Sequence, residues 1–214
     1  MLQVSRKIPL VTSIIAILLA GIIGIVLQFV FHTGEYTLLL GAVGAFMGFF
    51  YSTRPIRFVG RGVGEIFIGF CYGWLPVATS YYLQAGYVHP LIHLVSLPIG
   101  LTIFNVILLN EFPDYLADTQ TGKRNLLVRV GKEKAVIIYI FANVLSWIIF
   151  LFSFKYGVPY KALYLYGMVF LVSLFVVVMM ATKKYESQNI LEILCGLNIA
   201  VNLGTTGAYI VAFI

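Results

Sequence analysis

The sequence predicts an all-α fold, a polytopic bundle of about seven transmembrane helices with its N-terminus in the cytoplasm. Of the 214 residues, 61% are hydrophobic and only 10% are charged, and the mean hydropathy is +0.98. No water-soluble domain can cover that much apolar surface. The apolar residues form long runs, and most of the basic residues lie in the short segments that separate them. Together these observations predict a multi-pass protein of the cell membrane.

Seven runs are candidates for the spans. A helix needs roughly 20 apolar residues to cross the hydrocarbon core of a bilayer. The runs lie at about 8–31, 36–53, 62–83, 90–110, 134–154, 160–181 and 190–213, and we expect them to form one transmembrane domain over residues 1–214. The second run is the shortest. Because Gly41, Gly44 and Gly48 recur along it at a spacing that permits close helix contact, we expect this face to pack against a neighbour.

Lysine and arginine predict the orientation. Of the 14 such residues, only Lys155 and Lys161 fall on the second side of the seven spans. The others are Arg6, Lys7, Arg54, Arg57, Arg61, Lys123, Arg124, Arg129, Lys132, Lys134, Lys183 and Lys184. Since cytoplasmic loops carry the excess of basic residues, this side is predicted to be cytoplasmic and the C-terminus external. The net charge of +6 therefore reflects topology, and we predict no nucleic-acid partner.

The most polar segment is NEFPDYLADTQTGKRNLLVRVG, residues 110–131, on the predicted cytoplasmic side. If the fourth helix continues past Pro113, then Glu111, Asp114 and Asp118 share one face, and Asn110 aligns with the two aspartates. Carboxylate and amide oxygens suit Mg²⁺, an ion that is often shared with substrate phosphates. The pattern is therefore compatible with a magnesium site at the mouth of the bundle.

Basic residues follow this acidic stretch at once. Lys123, Arg124 and Arg129 could pair with phosphate oxygens. The segment is therefore either a diphosphate site beside an apolar bundle that holds a lipid tail, or a solvated loop whose charges pair with one another and with lipid headgroups. Spacing alone leaves both interpretations open.

The loop before the third span supplies further candidates. Glu65 lies near the start of that span, and an ionisable residue inside a membrane is a functional candidate. It could bind near a substrate, or it could pair with Arg61 four residues earlier. Arg54 and Arg57 either reach a diphosphate from this loop or only set the topology.

Two stretches of the chain resemble a known family. Residues 110–131 resemble the second aspartate-rich motif of the UbiA superfamily of membrane prenyltransferases. Residues 51–84, YSTRPIRFVGRGVGEIFIGFCYGWLPVATSYYLQ, resemble a loop and glycine-rich helix of its 1,4-dihydroxy-2-naphthoate, or menaquinone-pathway, branch. The resemblance implies Mg²⁺-assisted transfer of a polyprenyl group from its diphosphate to an aromatic quinone precursor.

The resemblance also implies roles for individual residues. Asp114 and Asp118 would be magnesium ligands through the diphosphate, and Lys123 and Arg124 would steady the diphosphate oxygens. The remaining predicted substrate-binding residues are Asn110, Glu111, Arg54, Arg57, Glu65 and Arg129.

The sequence departs from the family pattern in one respect. The family has nine spans and a first motif of the Asn-Asp-x-x-Asp type, and neither the first two spans nor that motif occurs here. We therefore expect the seven spans to correspond to the last seven of the nine. The alternative to an active enzyme is an inactive or half-site fragment that needs an upstream segment or a second polypeptide.

Two other classes of membrane protein are not predicted. A retinal-binding seven-helix protein needs a lysine in its last span, and residues 190–213 contain none. A transporter would show two related halves with broken helices, and the sequence contains no such repeat.

Overall fold

The computed structural model describes residues 7–214, and all regular structure in this range is helical. Arg6, one of the residues that predict the orientation, lies outside the described residues. The α-helices of residues 7–214 are α1 (Lys7–Ile25), α2 (Thr37–Ser52), α3 (Gly64–Gly69), α4 (Leu75–Ala85), α5 (Pro90–Gln120), α6 (Leu126–Val130), α7 (Lys132–Ser153), α8 (Ala162–Ala181) and α9 (Gln188–Phe213). One π-helical turn, Val26–Val30, extends α1, and another, Phe70–Trp74, joins α3 to α4.

Within residues 7–214, six helical segments are long and apolar enough to cross a membrane. They are Ile8–Val30, Gly64–Ala85, Pro90–Gln120, Lys132–Tyr156, Ala162–Ala181 and Gln188–Phe213. This confirms the all-helical, polytopic fold. The predicted second span corresponds to α2, which has 16 residues. It rises only about 24 Å at 1.5 Å per residue, less than the hydrocarbon thickness of roughly 30 Å.

The helix that contains the fourth predicted span is longer than that span. The span is predicted to end near residue 110, whereas α5 continues past Pro113 to Gln120 and has 31 residues. Pro113 has no N–H to donate to the carbonyl of Leu109. The Cys195 thiol of α9 donates to that carbonyl at 3.8 Å and partly replaces the missing bond. At about 46 Å the helix exceeds the hydrocarbon thickness, so its polar end extends beyond the apolar layer.

Helices α5, α7, α8 and α9 form the packed body of the molecule. One apolar cluster lies toward the end of the bundle that carries Gln120 and includes Leu109, Phe112 and Leu194. A second cluster lies toward the opposite end and includes Phe150 and Tyr166. Because both clusters pack against α5, this helix is held firmly along its length.

Hydrogen bonds between polar side chains also connect these helices inside the apolar layer. Tyr139 of α7 donates its hydroxyl to Asn198 of α9 at 3.0 Å. Asn202 donates to the Thr102 hydroxyl of α5 at 2.8 Å. Such interhelical bonds satisfy polar groups that would otherwise be unpaired in hydrocarbon.

Close helix contact occurs at different glycines from those predicted. A Cβ added to Gly73 would lie 2.3 Å from the Cα of Gly100, so the π-helical turn and α5 touch through their backbones. In contrast, a Cβ at Gly41 or Gly48 meets nothing within 4 Å in residues 7–214. The expectation of a tightly packed glycine face on α2 is therefore wrong at these two positions. Gly44 alone of the three has a neighbour, the Leu75 side chain at 3.2 Å.

Candidate functional site

The polar end of α5 divides its side chains between two environments. Asn110 and Asp114 are exposed, whereas Glu111 and Asp118 are buried at 8% and 9% exposure. The helix does continue past Pro113, as the shared-face prediction requires. Yet in residues 7–214 no group of three or more acidic, histidine or cysteine side chains is arranged to hold a metal ion. The predicted trio of carboxylates therefore does not form a protein-only cage.

Asp118 is the most heavily bonded of the predicted ligands. Its Oδ2 atom accepts a hydrogen bond from Lys123 Nζ at 2.8 Å and another from Asn125 Nδ2 at 2.8 Å. Its Oδ1 atom accepts no hydrogen bond from residues 7–214, so one oxygen remains available to a ligand. An ammonium has three protons, and Lys123 can donate others to an anion while it keeps this ion pair.

Asp114 lies one helical turn before Asp118 and remains free. Its carboxylate makes no ion pair or hydrogen bond within the described part of the chain. The oxygen donors open to a cation are thus Asp114 and the Oδ1 atom of Asp118, with the exposed amide of Asn110 one turn earlier. Two carboxylates and an amide suit Mg²⁺ that also binds substrate phosphates, because this ion seldom needs more than one or two carboxylates.

The short helix α6 positions the basic residues beside this carboxylate pair. Asn125, fully buried, begins the helix and accepts the N–H of Val128 at 2.9 Å. Through its other amide atom Asn125 also holds Asp118. This residue was not among the predicted ones. An asparagine directly before an apolar run is a helix N-cap signal, and it could have been found.

Glu65 and Glu111 both approach α6 from the bundle. Oε1 of Glu65 accepts the N–H of Leu126 at 2.9 Å, and Oε2 of Glu111 accepts the N–H of Leu127 at 3.4 Å. Glu65 is 1% exposed. The alternative that it pairs with Arg61 is wrong, because Arg61 instead donates to the carbonyl of Pro55 at 3.1 Å. Because Glu65 is buried, its carboxyl group reaches the amide of Leu126. The side chain of Arg61 lies in solvent, out of its reach.

The two loops at this end interlock. The side chain of Arg129 packs against Gly62. A Cβ added to Gly62 would lie 2.4 Å from the Cδ atom of Arg129. Arg129 Nε also donates to the carbonyl of Arg124 at 2.7 Å. Gly62 has φ +72°, a conformation that residues with a side chain rarely adopt, so the backbone favours a glycine here. The contact brings the loop with Arg54 and Arg57, both exposed, alongside the loop with Lys123.

Two apolar grooves flank α5. The larger, about 760 Å³, lies between α4, α5 and α9, and its α5 wall includes Ile99 and Ile103. Asn110 and Asp114 follow Ile103 by seven and eleven residues, so all three positions lie on the same face of α5. The smaller, about 520 Å³, lies between α3, α5 and α7 and includes Phe104, seven residues before Glu111. Along α5 the lining of each groove ends about 10 Å before the first of these polar residues, at 1.5 Å per residue.

Comparison with known proteins gives one family match. A model of the UbiA prenyltransferase family matches residues 3–200. The UbiA prenyltransferase domain-containing protein 1 of Dictyostelium discoideum is 32% identical over 105 residues, which are 49% of this chain and 32% of that protein. No solved structure gives a significant match.

Two bacterial relatives have the same named activity. The 1,4-dihydroxy-2-naphthoate octaprenyltransferase of Bacillus subtilis (strain 168) is 29% identical over 113 residues, or 52% of this chain and 36% of that enzyme. The enzyme of the same name from Escherichia coli (strain K12) is 33% identical over 100 residues, or 46% of this chain and 32% of the enzyme. The aligned part is thus about a third of the length of these relatives.

Proposed function

This chain belongs to the UbiA prenyltransferase family, and we propose that it transfers a polyprenyl group from a polyprenyl diphosphate to a dihydroxynaphthoate-like aromatic acceptor. One observation carries the proposal. The larger apolar groove lies on the face of α5 that also carries Asn110 and Asp114, and its lining on α5 ends at Ile103, about 10 Å before Asn110 at 1.5 Å per residue. A prenyl chain that continued from the groove along this face would bring its diphosphate to these polar residues, beside the basic loop that begins at Lys123. The names of the bacterial relatives favour a naphthoate acceptor in a quinone pathway.

Charge neutralisation is the chemistry that the protein would supply. The allylic C–O bond breaks and diphosphate leaves with the bonding electrons, while a ring carbon of the acceptor forms the new C–C bond and then loses a proton. Bound Mg²⁺ would act as a Lewis acid on the diphosphate. Asp114 and the Oδ1 atom of Asp118 would hold that ion, and Asn110 would support them.

The basic side chains act on the same leaving group. Lys123 would donate to diphosphate oxygens while its contact with Asp118 fixes its position. Arg124 and Arg129 would add planar guanidinium donors, which suit phosphate geometry. Arg54 and Arg57 would contribute from the facing loop. Preorganised charge of this kind is usually the largest contribution to catalysis.

The test is a transfer assay with the purified chain in lipid nanodiscs. The chain would be incubated with a polyprenyl diphosphate, dihydroxynaphthoate and Mg²⁺, and prenylated product would be measured. We expect Asp114→Ala and Asp118→Ala each to lower turnover about 100-fold or more, and chelation of Mg²⁺ to abolish product. Glu133→Gln is the control, because Glu133 is an exposed acid paired with Lys183 at 2.8 Å. Undiminished product in both aspartate variants would remove them from the mechanism.

The second candidate function is a half-site that needs a further segment or a second polypeptide. The observation in its favour is that, of the two aspartates, one oxygen of Asp118 is already bonded to Lys123 and Asn125, which leaves few open carboxylate oxygens to neutralise a diphosphate with its metal. Here the purified chain would bind inorganic diphosphate with Mg²⁺ in calorimetry but form no product alone. Product that appears only after a co-purifying polypeptide is restored would favour this candidate over the complete enzyme.

The proposed location is the cell membrane, with the charged end of the bundle in the cytoplasm. The basic residues of this end support that orientation through the positive-inside rule. Cytoplasmic diphosphate substrates would then reach the site without crossing the bilayer.

A further inference from the structure

Glu65 and Glu111 direct their carboxyl groups at the protein's own backbone. Both side chains are buried, at 1% and 8% exposure. Their acceptor atoms meet the N–H groups of Leu126 and Leu127, the first two residues of α6. A carboxyl group that is enclosed and already bonded in this way is poorly placed to reach a substrate.

These contacts complete the N-terminus of α6. The first N–H groups of a helix have no partner inside the helix. In α6 three successive N–H groups are accepted by side chains from three places, namely Glu65 of α3, Glu111 of α5 and the cap residue Asn125. A helix of five residues has little stability of its own. Its orientation therefore depends on these three acceptors.

The orientation of α6 determines where the basic residues lie. Lys123 and Arg124 directly precede the helix, and Arg129 belongs to its last turn. Lys123 and Asn125 are bonded to Asp118, so the N-terminal side of the loop is attached to α5. Glu65 attaches the same loop to α3, through a hydrogen bond to Leu126 that joins residues 61 positions apart in the sequence.

We propose that Glu65 and Glu111 are positioning residues, which hold α6 so that Lys123 stays at Asp118 and Arg124 and Arg129 stay in the adjoining loop and helix. The inference rests on the proposed function, because it assigns these two carboxyl groups to the geometry of the diphosphate site. It gives them a positioning role in place of the substrate-binding role that the sequence predicts, and that prediction itself remains untested. They act through the backbone of α6 and touch no reacting atom.

A neutral acceptor suffices for this role. Each carboxyl group serves only as an acceptor for a backbone N–H of α6, and the Oε2 atom of Glu65 is buried without a hydrogen-bond partner in the described residues. Glu65→Gln keeps an Oε1 acceptor for Leu126 and places an amide N–H₂ where Oε2 now has no partner. Glu65→Leu removes the acceptor at similar size. The pair of variants separates hydrogen bonding from charge.

The first measurement is hydrogen–deuterium exchange of the purified chain in nanodiscs, followed on peptides that cover residues 123–130. We expect exchange of the α6 amides to become about tenfold faster in Glu65→Leu and Glu111→Leu, because a buried donor loses its acceptor. The glutamine variants should match the unsubstituted chain. Glu133→Leu, on the exposed start of α7, is the control and should leave the peptide unchanged.

The second measurement is steady-state transfer. The leucine variants should raise KM for the polyprenyl diphosphate about tenfold and leave KM for the acceptor unchanged. In the glutamine variants both KM values should equal those of the unsubstituted chain. If the glutamine variants raised KM for the polyprenyl diphosphate as much as the leucine variants do, the proposal would be overturned, because the carboxylate charge would then act on the substrate. Unchanged exchange in the leucine variants would overturn it as well.

A third variant covers the case in which the leucine variants fail to fold. Leu126→Pro deletes the N–H that Glu65 accepts and keeps Glu65 itself. Proline is tolerated at the first position of a helix, and Asn125 already has the extended ψ of 177° that a following proline favours. Faster exchange in the rest of α6 is expected, and wild-type exchange would contradict the positioning role. Because exchange needs no turnover, it tests the proposal even if the chain transfers no prenyl group.

Discussion

At the scale of single residues, the charged end depends on one shared oxygen. Oδ2 of Asp118 accepts both the Lys123 ammonium and the Asn125 amide, each at 2.8 Å. Asn125 uses its second amide atom to cap α6. One asparagine therefore connects the proposed metal ligand to the loop that carries the basic residues. An amide is suited to this place because it offers a donor and an acceptor on one short side chain.

The first prediction concerns Asn125. Asn125→Ala should lower the free energy of unfolding by about 1–2 kcal/mol, the usual effect of losing an N-cap. Asn125→Asp keeps a capping oxygen but places a second carboxylate against Asp118, so it should destabilise the chain more at neutral pH than Asn125→Ala does. Denaturation in detergent, followed by circular dichroism, measures both. An aspartate variant as stable as the unsubstituted chain would show that the Asp118 contact is absent.

At the scale of elements, the helix crossing at α5 determines the shape of both grooves. Gly73 and Gly100 allow the π-helical turn and α5 to touch, with the added Cβ of Gly73 only 2.6 Å from the Gly100 nitrogen. The same turn contains Phe70 and Trp74, which line the smaller groove together with Gly100. The glycine pair therefore sets the distance between the groove walls.

The second prediction concerns this crossing. Gly73→Ala should destabilise the chain by about 1–3 kcal/mol, because the new methyl group meets backbone that cannot move aside. Gly48→Ala is the matched control, since a Cβ there has open space, and it should be neutral or slightly stabilising. Thermal unfolding in the same detergent compares the two. Equal effects would mean that the two helices are not in backbone contact.

The end of α5 shows why sequence and structure differ at this scale. Pro113 and the charges around it indicate the end of a span, because proline removes a helical hydrogen bond. The structure continues the helix with help from the Cys195 thiol, a residue 86 positions away from its acceptor Leu109. Local sequence contains no information on a partner at that separation.

At the scale of the whole molecule, the basic loops define one face of the bundle. The contacts Glu65–Leu126 and Lys183–Glu133 connect loops that are distant in the chain, and all of them belong to the predicted cytoplasmic side. Lys155 and Lys161 lie in the connection between α7 and α8, at the other end of both helices. The fold therefore agrees with the way the charges separate in the sequence.

The third prediction tests the orientation in the membrane. Tyr160→Cys and Thr182→Cys place exposed thiols at the two ends of α8. In intact cells a membrane-impermeant maleimide should label Tyr160→Cys and should label Thr182→Cys only after permeabilisation. The unsubstituted chain, with Cys71 and Cys195 in apolar helices, is the control for background labelling. The reverse pattern would place the charged end outside the cell.

The sequence by itself determined the class of fold, the approximate helices and the residues of the polar end, because hydropathy and charge act locally along a chain. It also identified Asp114, Asp118 and the basic residues after them as candidates. Only the tertiary structure decided which of these are free and which are already bonded. Asp114 remains open, Asp118 keeps one open oxygen, and Glu65 and Glu111 hold α6. The physical reason is that burial and hydrogen bonding depend on which distant segments of the chain come into contact. The spacing of side chains along one helix does not specify those tertiary contacts.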